Sequence, residues 1–177
     1  QFMRRNEDAE EHYDWAVKIM RELRMKEELA VVLDNLGLLC INLNKLEKAK
    51  QALEEAMVIR KEGAERGKGL PELAKTLNNL AVLYRRLKKF DDVERCCKIV
   101  LDILRKLSAE SHEFISYLAA ALNNLASLYI EEEKYDEAEK LVAEALKYEA
   151  FLPPDIRLKC YINAAKVLEK REDSSAG

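Results

Sequence analysis

Glycine and proline are scarce in this sequence. Its 177 residues hold five glycines and three prolines. So few chain breakers exclude a fold of many tight turns and point to long helices. No apolar run approaches the ~18 residues that a membrane-spanning helix needs. No secretory leader pattern opens the chain, and no membrane partner is expected. A charge excess is missing as well: 30 basic residues against 33 acidic ones leave a net charge of −3. Nucleic-acid binding needs a concentrated positive face, so no nucleic-acid partner is expected. Cysteine is present four times, but Cys40, Cys96, Cys97 and Cys160 fit no zinc or redox spacing. They read as small core residues of a reducing compartment, which places the chain in the cytoplasm. A redox pair at Cys96 and Cys97 is the alternative. The chain begins at Gln1 without an initiator methionine, as a fragment of a longer protein would.

Signatures of catalysis are also absent. There is no glycine-rich phosphate loop and no GxSxG elbow. The two histidines, His12 and His112, stand far apart, and neither has a partner at metal-ligand spacing. His112 falls in a loop, where a solvated side chain is expected. The many carboxylates sit on amphipathic surfaces, with no apolar pocket forced around them. The expectation is a protein that is not an enzyme and needs no cofactor or metal.

What the sequence does contain is an echo. LDNLGLLC (33–40), LNNLAVLY (77–84) and LNNLASLY (122–129) repeat at intervals of 44 and 45 residues. Read as a helix, the second copy puts Leu77, Leu80, Ala81 and Tyr84 on one face. Leu33, Leu36, Gly37 and Cys40 do so in the first copy, and Leu122, Leu125, Ala126 and Tyr129 in the third. A small residue stands mid-face each time, so a second helix can approach closely. That helix follows: Ala49, Val93 and Ala138 come twelve residues after the small residue, and Ala56, Val100 and Ala145 seven further on. A helix pair cannot bury both faces alone, and stacking the next pair completes the core.

The pattern Leu-x-x-Leu-Ala-x-x-Tyr, with small residues twelve and nineteen positions later, resembles the tetratricopeptide repeat over residues 30–148. The long period and the wording AKTLNNLA resemble the repeats of kinesin light chains. YDWAVKIMREL (13–23) resembles the second helix of an earlier repeat, and 155–171 a final first helix or cap. The resemblance implies an all-α fold: a right-handed alpha-alpha superhelix, or solenoid, of stacked antiparallel helix pairs. It implies one array over 1–172, made of a partial repeat helix at 1–26, repeats at 28–65, 71–108 and 113–150, and a last helix at 155–172. The tail 173–177 is expected to be disordered. Helices are expected near 7–24, 28–43, 46–62, 71–87, 90–107, 113–131, 135–149 and 155–170. Asn6 is placed to cap the first. Gly63, Gly67, Gly69 and Pro71 are placed to separate two repeats. The family often has glycine in the turn between paired helices, where this chain has Asn44, Lys88 and Glu133.

The side of each first helix away from the leucine stripe lines the groove in that resemblance. Asp34 and Asn35, Asn78 and Asn79, and Asn123 and Asn124 would form a polar track there. An asparagine amide both donates and accepts, so it can grip a peptide backbone whatever its side chains. Val31, Leu38 and Ile41 would read a partner's sequence in the first repeat, or be covered by the helix that carries Trp15. Lys75, Val82, Arg85 and Arg86 take that place in the second repeat, and Ser127, Ile130 and Glu131 in the third. The basic run of YRRLKKF (84–90) also reads as a solvated helix end. The positions that hold a chaperone's C-terminal carboxylate in one well-known member type carry no basic set here, so no such clamp is expected. The expected function is a non-catalytic scaffold binding a peptide segment or helix of a partner protein. A structural spacer that self-associates through its terminal repeats is the alternative.

Overall fold

In a computed structural model of the chain, the backbone is described for residues 2–175 and side chains for 7–170. The described residues form eight α-helices and two short 3-10 turns, with no strand. The helices are α1 (Phe2–Glu22), α2 (Lys26–Asn42), α3 (Leu46–Glu65), α4 (Leu70–Arg86), α5 (Phe90–Glu110), α6 (Ile115–Glu131), α7 (Tyr135–Leu146) and α8 (Pro154–Ser175). The 3-10 turns, His112–Phe114 and Glu149–Phe151, lead into α6 and α8. Several ends differ from expectation. α1 starts at Phe2, so Asn6 lies inside the helix; its side chain is outside the described residues. α3 runs through Gly63, and the break falls at Gly67 and Gly69, both left-handed with φ of 76° and 77°. α8 continues through Ser175, and residues 176–177 lie outside the description.

The chain divides into two compact units, residues 1–96 and 97–177, with the dividing point inside α5. In the first unit α2 packs on α3, and α4 packs on both. In the second α6 packs on α7, and α8 packs on both. Each unit therefore repeats one arrangement: a first helix, its second helix, and the next first helix lying against the pair. α8 takes the place in its unit that α4 takes in the other.

The repeated stripe builds both cores. Leu33, Leu36, Leu77, Leu80, Leu122 and Leu125 are all buried. So are the small residues of the second helices, Ala49, Ala56, Val93, Val100, Ala138 and Ala145. Gly37 shows why a small residue stands mid-face: a Cβ there would lie 2.5 Å from Leu53 Cγ and 2.7 Å from its Cδ2. α2 and α3 therefore approach more closely than an alanine would allow. Ala126 is buried too, whereas Ala81 is only half-buried. All four cysteines are buried, unbridged thiols, and burial pushes Cys40 and Cys160 up.

The paired helices turn without glycine. Asn44, Lys88 and Glu133 all adopt the left-handed conformation, with φ of 58°, 56° and 60°, and Arg24 between α1 and α2 joins them at 57°. Each turn is closed by the same two backbone bonds. The N–H of Lys45 donates to the Cys40 carbonyl at 2.8 Å, Lys89 to Tyr84 at 2.9 Å, Lys134 to Tyr129 at 2.8 Å and Met25 to Met20 at 3.0 Å. The left-handed residue itself donates three residues back. These bonds satisfy the last carbonyls of the helix, which is what holds a side-chain-bearing residue in a region that favours glycine. The strain remains, so Lys88→Gly and Glu133→Gly are each expected to stabilise the chain by about 0.5–1 kcal/mol. Thermal melts of the two variants check this; a fall in melting temperature would contradict the assigned turn geometry.

Candidate functional site

The first helices share one register, in which 31, 75 and 120 are equivalent positions, as are 35, 79 and 124. The next turns bring 38, 82 and 127, then 42, 86 and 131. None of these twelve residues is buried. Val31 and Val82 are about half exposed, at 48% and 50%. Lys75, Arg86, Asn124 and Glu131 are exposed, and Asn35, Leu38, Asn79 and Ser127 are half-buried. The spacing of i, i+4, i+7 and i+11 makes these one stripe along each helix. It is apolar and neutral on α2, cationic on α4, and polar with one acid on α6.

The adjacent position, 34, 78 and 123, does not belong to that stripe. It lies 100° further round the helix, and two of its three residues are sealed. Asp34 is 2% exposed. Its Oδ2 accepts from Arg60 Nε at 3.3 Å, Arg60 Nη2 at 3.0 Å and Thr76 Oγ1 at 3.0 Å. The carboxylate thus ties α2 to α3 and α4 inside the first unit. In the second unit Asn123 is 5% exposed, and Asn163 of α8 donates from Nδ2 to its backbone carbonyl at 3.2 Å and its Oδ1 at 2.9 Å. The same amide reaches Ser127 Oγ at 2.8 Å. The expected polar track is corrected here: Asp34 and Asn123 hold one first helix against the next and do not face a ligand. Asn78 is exposed. Asn79 is half-buried, and its Nδ2 is enclosed without a hydrogen-bond partner.

Ile41, expected beside Val31 and Leu38, is 2% exposed and part of the core. Ile130 is half-buried, and Arg85 is exposed. α1, the helix that carries Trp15, packs on α2, yet Val31 remains about half exposed. His112 does not merely dangle in solvent; its ring stacks on Phe151 with centroids 5.8 Å apart.

One polar centre was not anticipated. Glu10 of α1 is 7% exposed and accepts from Lys45 Nζ at 2.5 Å and Lys48 Nζ at 2.7 Å. Lys48 also donates to Asp14 at 2.7 Å. The bond from Lys45, and then that from Lys48, hold the Glu10 carboxyl below the usual carboxylate range against the opposing effect of burial. A carboxyl whose folded pKa is depressed stabilises the fold above its unfolded pKa and loses that contribution as pH falls through the folded value. Glu10→Gln is therefore expected to cost about 1–3 kcal/mol at pH 7. The gap between variant and parent should close in melts taken below about pH 4; a gap independent of pH would mean the charge is not responsible.

The described residues contain no group of three or more His, Cys, Asp or Glu able to hold a metal ion. Tyr84 is pushed up by burial and by its bond to Glu54 at 3.0 Å, which keeps the phenol protonated. No helix among the described residues is long and apolar enough to cross a membrane.

Comparison with known proteins agrees with this architecture. Sequence profiles of the tetratricopeptide repeat match residues 30–61 and 72–148. No curated protein sequence matches the chain significantly. Among solved structures, BtubC (BKLC) from P. vanneervenii is similar, with 27% identity and a TM-score of 0.72 over 82% of this chain. This chain spans 57% of that one. A Podosopora anserina protein described as a kinesin light chain with nearly identical TPR-like repeats superposes with a TM-score of 0.76 at 18% identity. That match covers 97% of this chain and 81% of the other, and a variant of the same protein gives 0.77. The stacked helix pairs, their shared register and the profile matches make the chain a member of the tetratricopeptide-repeat family.

Proposed function

We propose that the chain is a non-catalytic scaffold that binds a peptide segment or helix of a partner protein in its concave groove, along the uncovered stripes of its first helices. The observation that supports this is the register itself. The leucine stripe is buried in all three repeats, while none of the twelve residues of the four-position stripe is buried. Tetratricopeptide repeats generally mediate protein–protein interaction, and an open stripe that recurs with the repeat is where a partner would lie. Asn35 and Asn124 supply backbone-binding amides at one equivalent position, while the Nδ2 of Asn79, the third residue there, is enclosed. Val31, Leu38 and Val82 offer apolar contact, and Lys75 and Arg86 favour acidic neighbours in the ligand. Asn79→Ala and Asn124→Ala together are expected to weaken partner binding by about tenfold and to leave thermal stability unchanged, because neither amide holds a neighbouring helix. Affinity capture from native extract, repeated with the double variant, checks the pair of outcomes. Undiminished capture would remove the groove reading.

A second reading, association of the chain with another copy of itself, has its own support. Trp15 and Ile19 of α1 and Leu23 just past its end form an exposed stripe, and Leu158, Tyr161, Ile162 and Leu168 form one on α8. A contact of one stripe with the other would be heterologous, head to tail, and would form chains of copies. Sedimentation across a concentration series decides it: a constant monomer mass excludes self-association.

A further inference from the structure

The first unit contains a cleft of about 440 Å³ at the end of the α2 and α4 stripes. Glu27, Glu28 and Val31 of α2 form one side, Arg60 the floor, and Lys68 and Glu72 the other side. Gly63 and Gly69 line it as well and lack side chains that would narrow it. The carboxylates lie against that bare backbone. Glu27 Oε1 is 3.4 Å from where a Gly63 Cβ would stand, and Glu72 Oε2 is 3.6 Å from that of Gly69.

Charge decides what such a cleft can take. The Arg60 guanidinium is neutralised from behind by Asp34, so it adds little to the field at the mouth. What remains is three carboxylates against the single ammonium of Lys68, an excess of negative charge. Arg60 is 95% withdrawn from solvent, at 5% exposure, yet it borders the cleft. Its Nε and Nη2 are spent on Asp34. Nη1 makes no hydrogen bond among the described residues and is left as a donor for an incoming carbonyl oxygen. Val31, about half exposed, offers an apolar wall of the length a lysine or arginine stem needs. The α4 N-terminus and Lys68 alone would favour an anion. The three carboxylates oppose one.

We propose that this cleft binds a cationic side chain, lysine or arginine, of a partner polypeptide, with the charged head between Glu27 and Glu72, the stem on Val31 and the neighbouring backbone carbonyl on Arg60 Nη1. The inference stands on the cleft and not on the groove reading, so either can fail without the other. The glycines supply the test. In an amide NMR spectrum of the full chain, Gly63 and Gly69 report on the cleft, and Gly37, buried between α2 and α3, serves as a control. Titration with Nα-acetyl-lysine methylamide is expected to shift the first two saturably and leave Gly37 in place. The norleucine analogue, which keeps the stem and lacks the charge, should produce less than about a tenth of that response at equal concentration. Glu27→Gln with Glu72→Gln, both on exposed side chains, should weaken the lysine probe about tenfold. Equal shifts from norleucine, an unchanged response in the double variant, or shifts from inorganic phosphate but not from lysine would each overturn the proposal.

Discussion

Asp34→Ala is expected to destabilise the chain by about 3–5 kcal/mol, because it strands a buried guanidinium. Asp34 and Arg60 are 2% and 5% exposed. One carboxylate oxygen carries every bond of the centre, from Arg60 Nε and Nη2 and from Thr76 Oγ1. The other, Oδ1, is buried without a partner. The pair is thus an incompletely satisfied charge centre, whose Coulomb gain is set against the desolvation of both ions. Removing one partner leaves the whole cost and none of the gain. Removing both is different: Asp34→Val with Arg60→Met abolishes both charges at nearly the same summed volume, and should recover most of the loss. Urea unfolding of the parent, the two single variants and the double variant gives the cycle. Near-additive losses would show that the two residues do not act as a unit. The prediction separates two roles that sit side by side in the sequence, since Asn35, the next residue, should tolerate alanine with little change.

That separation marks how far the sequence could be read. The leucine stripe was legible because a helical period leaves no choice of face once several apolar residues agree. The turn positions were legible as positions, from their fixed distance past the octet. Their left-handed geometry at Lys88 and Glu133 was not, because residue preference argues against it and two tertiary-enforced backbone bonds override that preference. The asparagine pair was misread as one surface. Adjacent helical residues diverge by 100°, and the side on which the next first helix packs decides which of the two is sealed. A signal was available. Arg60 stands where the second repeat has Leu104, a core position at 5% exposure. An arginine in a leucine register predicts a buried partner, and the first repeat alone has an acid, Asp34, where the others have asparagine. Charge at both positions in one copy and at neither in the next reads as a pair. Glu10 left no such trace, since it lies before 13–23, the part of α1 that resembles the second helices of the later repeats. Asn163 is a related case. It lies three residues after buried Cys160 and four before buried Val167, in a stripe where the other first helices have leucine.

Leu125→Ala should be nearly as damaging as the loss of Asp34, at about 2–5 kcal/mol. The residue is 2% exposed on α6, in the second unit. Leu122 and Ala126, both fully buried, share its face. Ala138, Val142 and Ala145 of the packed α7 are small and fully or nearly fully buried. Small neighbours cannot swing inward to fill the space a leucine leaves, so the cavity persists and its cost adds to the lost transfer free energy. Leu125→Met, which nearly conserves volume, should cost less than about 1.5 kcal/mol. The contrast with Asn124→Ala is the sharper half of the test. One residue earlier and 100° around the helix, that change should leave the melting temperature where it is. A comparable loss at both sites would show that α6 has no uncovered stripe, and the scaffold would lose the surface on which its partner is proposed to lie.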